Sequence, residues 1–231
     1  MEDNKLNYKR LALYLKIGII GAVIILAGDM LMGWGLKDPS KTGIELQLSQ
    51  YLNLSETRMI LAAVFGFSGV PLACIGHYAI YKMLKVHTDK YAKLYLFGIL
   101  GFLAFGGAGV HVSSVEAAYF YQNMLEAGAN FALDSTIKFA SYFLLPLYVI
   151  LIIAWLIMVY AHIKAIKSGL SPLPRWFWIF SMPVGTLLFS LFGIIGNYEI
   201  INAIVVGAFS LGNIYSLTAH LWMVNKLKEN N

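Results

Sequence analysis

The sequence predicts an all-α, polytopic transmembrane bundle of six helices in the cell membrane, with both termini cytoplasmic. Three observations predict it. Apolar residues make up 59% of the 231 and charged residues only 13%, about half the roughly 25% charged share of a soluble domain. A surface so poor in charge needs lipid as its solvent. Six apolar runs reach the roughly 20 residues that cross a hydrocarbon core of about 30 Å. The charges fall in short blocks between those runs, and the blocks alternate. Of the 17 Lys and Arg, 13 lie on the side of the N-terminus and C-terminus, among them Lys9, Arg10, Lys82, Lys85, Lys164, Lys167, Arg175 and Lys226. The other side holds four, Lys37, Lys41, Arg58 and Lys138. Positive residues stay inside, so this bias sets the orientation. It also accounts for the net charge of +5 without any nucleic-acid partner.

The chain reads as a single six-span domain over 1–231. With no water at bilayer depth each backbone group must bond within its own segment, so runs this long are expected to be helices. The first covers 11–35 and is too long for the apolar region of a cleaved signal peptide. The connection from Lys37 to Arg58 sets Ile44, Leu48, Tyr51 and Leu52 on one face of a short amphipathic helix at the outer membrane surface. The second span, 59–81, follows Ser55, a helix-starting residue. The third, 94–121, carries Gly101, Gly106, Gly107 and Gly109, small residues that let helices approach closely in lipid. It is therefore the expected central helix. The fourth, 139–161, follows Asp134. The fifth, 176–196, follows Ser171, Pro172 and Pro174, and joins the sixth, 200–224, through a tight turn at Gly196 and Asn197. Pro71, Pro146 and Pro183 lie inside spans, where each removes a backbone donor and bends its helix.

Ionisable groups inside spans cost about 2.5–3.5 kcal/mol each at the bilayer centre on insertion scales, so each is a candidate for function. The outer half holds Asp29, His111 and Glu116. Asp29 and His111 fall at similar depth, and His111 shares a helical face with Ser114. Tyr142 and Asn202 come from the outer parts of the fourth and sixth spans. Together Asp29, His111, Ser114, Glu116, Tyr142 and Asn202 are the expected lining of an outward polar cavity for a small-molecule or lipid ligand. The competing expectation is an Asp29–His111 hydrogen bond that only locks two helices together.

The inner half holds His77, His162 and His220. Each follows a small residue and precedes a lysine by five or six places, which suggests a triplicated hairpin or a shared interfacial habit. Three histidines at one depth make the set for a zinc ion with an open position for water, and such an ion would activate water for hydrolysis. The arrangement resembles the membrane hydrolases related to alkaline ceramidases and adiponectin receptors, but lacks their seven helices and any His-x-x-x-His pair. Haem between two of the histidines is a further alternative. The plainest expectation is three separate interfacial histidines and no cofactor. Cys74, the only cysteine, rules out an intrachain disulfide. There is no P-loop, dinucleotide fingerprint or nucleophile elbow.

Gly28-Asp29-Met30-Leu31, Gly69-Val70-Pro71-Leu72 leading to Gly76-His77-Tyr78, and Gly106-Gly107 with His111 resemble a bacterial family of six-helix membrane proteins known only as a domain of unknown function. That resemblance implies the topology and adds weight to Asp29, His77 and His111; it implies no activity. Three readings stand on the sequence. The first is a protein that binds or passes a ligand through the outer cavity, and the second is a zinc-dependent lipid hydrolase. The third is a non-catalytic component that recruits partners through 37–58.

Overall fold

A computed structural model describes residues 6–229, and every regular element in it is helical. In order these are α1 (Tyr8–Gly33), α2 (Gly43–Ser49), α3 (Glu56–Lys85), α4 (Asp89–Glu126), α5 (Ala132–Lys167), α6 (Met182–Ile194), α7 (Glu199–Val206) and α8 (Ala208–Glu229). Among the described residues, α1, α3, α4 and α5 are long and apolar enough to cross a membrane, and α7 with α8 makes a fifth if that bent pair is one span. The surface agrees with this. Leu13, Ile20, Phe67, Phe143, Leu187 and Ile194 are all exposed, and an apolar exterior of that kind belongs in lipid or an interface.

Local chemistry sets the ends. The Asn7, Ser55 and Thr88 side chains accept from the backbone N–H three residues on and start α1, α3 and α4. Gly128 and Gly169 take positive φ of 72° just after α4 and α5, where a side chain would be strained.

The most extensive pairing is between α1 and α3. A methyl on Gly18 would stand 2.4 Å from the Gly76 backbone, and one on Gly21 would stand 2.4 Å from the Ala73 nitrogen. Small residues thus bring two backbones into direct contact, which is how helices gain packing energy where lipid removes the hydrophobic drive. The sequence pointed to the third span as the central helix, but α3, formed by the second, is the more enclosed: 44% of its apolar stretch is buried against 33% for α4 and 17% for α5. The glycines of α4 serve other ends. Gly98 and Gly101 seat α5 at Met158 and Ala154, while Gly106–His111 forms a wide π-helical turn.

The fifth and sixth apolar runs are not the continuous helices expected over 176–196 and 200–224. Residues Arg175–Phe180 form a 3-10 turn, Ser181 is extended, and α6 begins with Pro183 in its first turn. A proline suits a helix start, where its missing N–H is unused. The resulting α6 has 13 residues, about 20 Å at roughly 1.5 Å each. The sixth run breaks at Gly207, where the axes of α7 and α8 turn by 62°. A methyl on Gly207 would meet Leu26 of α1 at 2.6 Å, so the bend nests against the first helix and carries Ser210 to Asp29.

Candidate functional site

In the half of the bundle away from the two termini, α1, α2, α3, α4, α5, α7 and α8 surround a cavity of about 730 Å³, within the roughly 300–1,000 Å³ of ordinary ligand pockets. Its wall is mostly apolar: Ile25 and Met32 from α1, Val70 from α3, Phe102 and Val110 from α4, Leu144 and Leu151 from α5, Phe209 from α8. The amphipathic helix expected between the first two spans is present as α2, and its Ile44, Gln47 and Leu48, with Tyr51 just beyond, roof the cavity.

A polar cluster sits on this wall. Asp29 Oδ1 lies 3.3 Å from His111 Nδ1, and Ser210 Oγ donates to Asp29 Oδ2 at 2.6 Å. His111 Nε2–H donates to the Ala62 carbonyl at 2.9 Å. A carbonyl only accepts, so Nε2 carries a hydrogen. Nδ1 faces a carboxylate oxygen, and that contact is attractive only with one more proton between the two residues. Holding that proton, Asp29 and His111 together would carry no net charge. The two side chains are 15% and 13% exposed, open to the cavity rather than sealed in a helix seam.

Glycines make the room for this imidazole. A methyl on Gly66 would stand 2.0 Å from His111 Cδ2, and its three nearest neighbours are all atoms of that ring. A methyl on Gly28 would stand 3.3 Å from His111 Nε2. Two π turns flank the cavity. Gly106–His111 in α4 places Gly106, Val110 and His111 on its wall, and Ala140–Leu144 in α5 places Ala140, Ser141 and Leu144 there. The second precedes Pro146, which has no N–H for the Tyr142 carbonyl and whose ring crowds it. The wider turn absorbs that conflict, and π turns of this kind cluster at functional sites.

Of the candidate residues read from the sequence, Asp29, His111 and Ser114 line this cavity together. Ser114 hydrogen-bonds back to the Val110 carbonyl at 2.7 Å and remains exposed. Glu116 and Tyr142 are exposed and neither lines the cavity. Asn202 is buried and lies on a smaller adjoining cavity of about 480 Å³ with Asn197. Its amide donates to the Gly35 carbonyl at 2.7 Å and to Asn197 Oδ1 at 2.8 Å. Asn197 in turn clamps Lys37, accepting from its N–H at 3.2 Å and donating to its carbonyl at 2.8 Å. These asparagines fasten the α6–α7 turn to the segment after α1. Ser210 and Gly66 were not singled out from the sequence. A serine or glycine in an apolar helix is ordinary, and only the folded arrangement marks these two.

The inner histidines are buried among α3, α4, α5 and α8 rather than set apart at an interface. His77, His162 and His220 are 1%, 4% and 0% exposed. His77 Nε2–H donates to Asn213 Oδ1, and its Nδ1 accepts from the Tyr95 hydroxyl, both at 2.8 Å. His220 Nδ1–H donates to the Ser216 carbonyl at 2.7 Å, which leaves its Nε2 to accept from His162 at 3.0 Å. The convergence of four helices explains the burial, and each ring so placed satisfies the rule that buried polar groups find partners. Among the described residues, no three His, Cys, Asp or Glu side chains gather as a metal set.

A model for a family of unknown function (DUF6796) matches residues 1–227. No curated protein and no solved structure matches the chain.

Proposed function

Because the chain belongs to that family of unknown function, which assigns it no activity, we propose a function from the geometry: an integral membrane protein that binds an uncharged, long-chain amphiphile in the outer cavity. In this reading six segments traverse the cell membrane with both ends in the cytoplasm, as the lysine and arginine distribution favours. The short α6 with its 3-10 ends and the bent α7–α8 pair are then the fifth and sixth crossings. One observation carries the ligand: a cavity of about 730 Å³ with an apolar wall and the Asp29–His111–Ser210 cluster on it.

The ligand class follows from charge and shape. With that proton the Asp29–His111 unit is neutral, so a charged head would stand in a low-dielectric cavity without a counter-ion, a costly arrangement. An uncharged head with a hydroxyl is suited to it. The hydroxyl donates to a spare lone pair of Asp29 and accepts from a neighbouring donor. Asp29 is four residues from the end of α1, about 6 Å along the axis, which sets the head near the outer surface. Leu151, Phe102 and Phe209 line the deeper part and receive the chain.

Monoolein, a single-chain glyceride with two hydroxyls, is the probe. It should raise the melting temperature of detergent-purified wild type in a saturable way. Asp29→Asn and His111→Ala should weaken that effect at least about tenfold while each variant still melts cooperatively. Equal stabilisation of wild type and both variants would refute the site. A cooperative collapse of both variants in the absence of lipid would reduce the pair to a helix lock.

A further inference from the structure

We infer that the cavity fills sideways, from the outer leaflet of the bilayer, through a slot along α5 that runs from the surface to mid-membrane. This rests on the amphiphile-binding reading above. It adds the source of the ligand and its route.

Three observations carry it. First, six residues both line the cavity and stay exposed: Ile44 and Gln47 on α2, Ser114 on α4, and Ser141, Leu145 and Tyr148, which follow one another along α5. Ile44 sits at the surface on α2, Ser141 follows on α5, and Leu145 and Tyr148 lie farther along α5, at 57% exposure for Ile44, 55% for Leu145 and 49% for Tyr148. Tyr148 is 16 residues from the start of α5 and 19 from its end, about 24 Å and 28 Å along the axis. An opening at that position faces hydrocarbon, not water.

Second, the aqueous side is roofed and the roof is tied down. The Asp38 N–H donates to Ser49 Oγ at 2.8 Å, and Ser49 Oγ donates to the Leu46 carbonyl at 2.7 Å. The Gln122 amide reaches from α4 to the carbonyls of Leu52 and Leu54 at 3.0 and 3.1 Å. Asn197 holds Lys37 from the other side. Three separate ties thus fix the segment that carries α2.

Third, the helical wall widens where the slot opens, while Phe139 just before it stays stacked on Phe120 of α4 at 5.3 Å. The inner part of α5 is held through Ala154 and Met158 at the glycines of α4, through Trp155 against Phe209 at 5.5 Å, and through the His162–His220 pair. Its outer part carries the π turn Ala140–Leu144, on which Ser141, Tyr142 and Phe143 are all exposed. A π turn carries an extra residue per turn and displaces the wall there.

The occupant this fits is a single-chain lipid already lying in the outer leaflet, head at the surface and chain parallel to α5. It slides in without its chain crossing water or its head crossing hydrocarbon. An aqueous solute would have to pass the roof instead.

The test uses the full chain in lipid nanodiscs with two readouts. In wild type, a monoacylglycerol carrying a diazirine at mid-chain should, on illumination, label the peptides containing Leu145, Tyr148 and Phe209, and excess monoolein should compete. In exchange experiments with a fluorescent monoacylglycerol, Leu145→Trp should slow uptake and release together, each at least about tenfold. Tyr148→Ala should speed both, so a folding failure of the tryptophan variant leaves the opposite-sign variant decisive. Rates unchanged in Tyr148→Ala or Leu145→Trp with binding retained would overturn the sideways route and place uptake at the roof. A wild type that neither labels nor is stabilised by monoolein would overturn the route together with the binding reading.

Discussion

Substituting alanine at Gly66 tests whether the glycine exists to seat His111. The added methyl would stand 2.0 Å from His111 Cδ2, against at least 3.4 Å for an ordinary contact, so the ring must retreat by roughly 1.4 Å. The Nδ1–Asp29 contact at 3.3 Å and the Nε2–Ala62 contact at 2.9 Å cannot both survive that shift. Two costs add. Polar contacts between membrane helices average only about 0.6 kcal/mol and reach about 1.7, while overpacking a tight site costs about 1–3 kcal/mol. Strain outweighs the lost hydrogen bonding, and together they cost about 2–4 kcal/mol. At roughly 2–4 °C per kcal/mol for a chain of this size, the melting temperature should fall by about 4–16 °C. The sharper measurement is a double-mutant cycle. In a His111→Ala background the clashing ring is absent, and Gly66→Ala should become neutral or stabilise by up to about 1 kcal/mol, the helix-propensity gain of alanine over glycine. Differential scanning fluorimetry on the four proteins decides the matter. An equal cost for Gly66→Ala in both backgrounds would refute this role for the glycine.

Two other perturbations follow from the same structure. His162→Ala leaves the His220 Nε2 buried without a partner and should cost about 1–3 kcal/mol, whereas replacing His162 and His220 together by leucines should cost less than the single change; incubation with EDTA should leave the wild-type melting curve unmoved, and a chelator-induced drop would show a metal at these rings. Asn197→Ala frees both the Lys37 backbone and the Asn202 amide, so limited proteolysis should begin to cut between 35 and 58 while the rest of the chain keeps its protection.

The helical class was legible because composition leaves a chain of this kind little choice. The alternation of apolar runs with lysine-bearing connections also located α1, α3, α4 and α5 closely. The later runs were harder. Apolarity over 176–196 and 200–224 says that a segment prefers lipid, but not that its backbone is straight, and a proline or glycine is read as a kink until neighbours are known. Pro183 starts a helix instead of bending one, and Gly207 turns the axis because Leu26 stands against it. That Asp29 and His111 could meet was legible from their similar heights, but not whether the first and third spans stand close enough for them to do so. Ser210 and Gly66 were not, because their positions depend on a bend and on a side chain from another helix. The inner histidines show the same boundary. Their common depth was visible, but which of them face one another depends on how α5 and α8 rotate about their axes.

The glycine contact between α1 and α3 bears on how the chain assembles in the bilayer. These two long apolar helices are neighbours along the chain, separated by a modest loop. Their union needs no later segment, because Gly18 and Gly21 meet Gly76 and Ala73 directly. Short-range partners associate with little loop-closure cost, so this hairpin should form before α5 and α8 join it. α5 and α8 are then recruited to a spine already standing, and the slot beside α5 is a seam between the early and the late parts of the molecule.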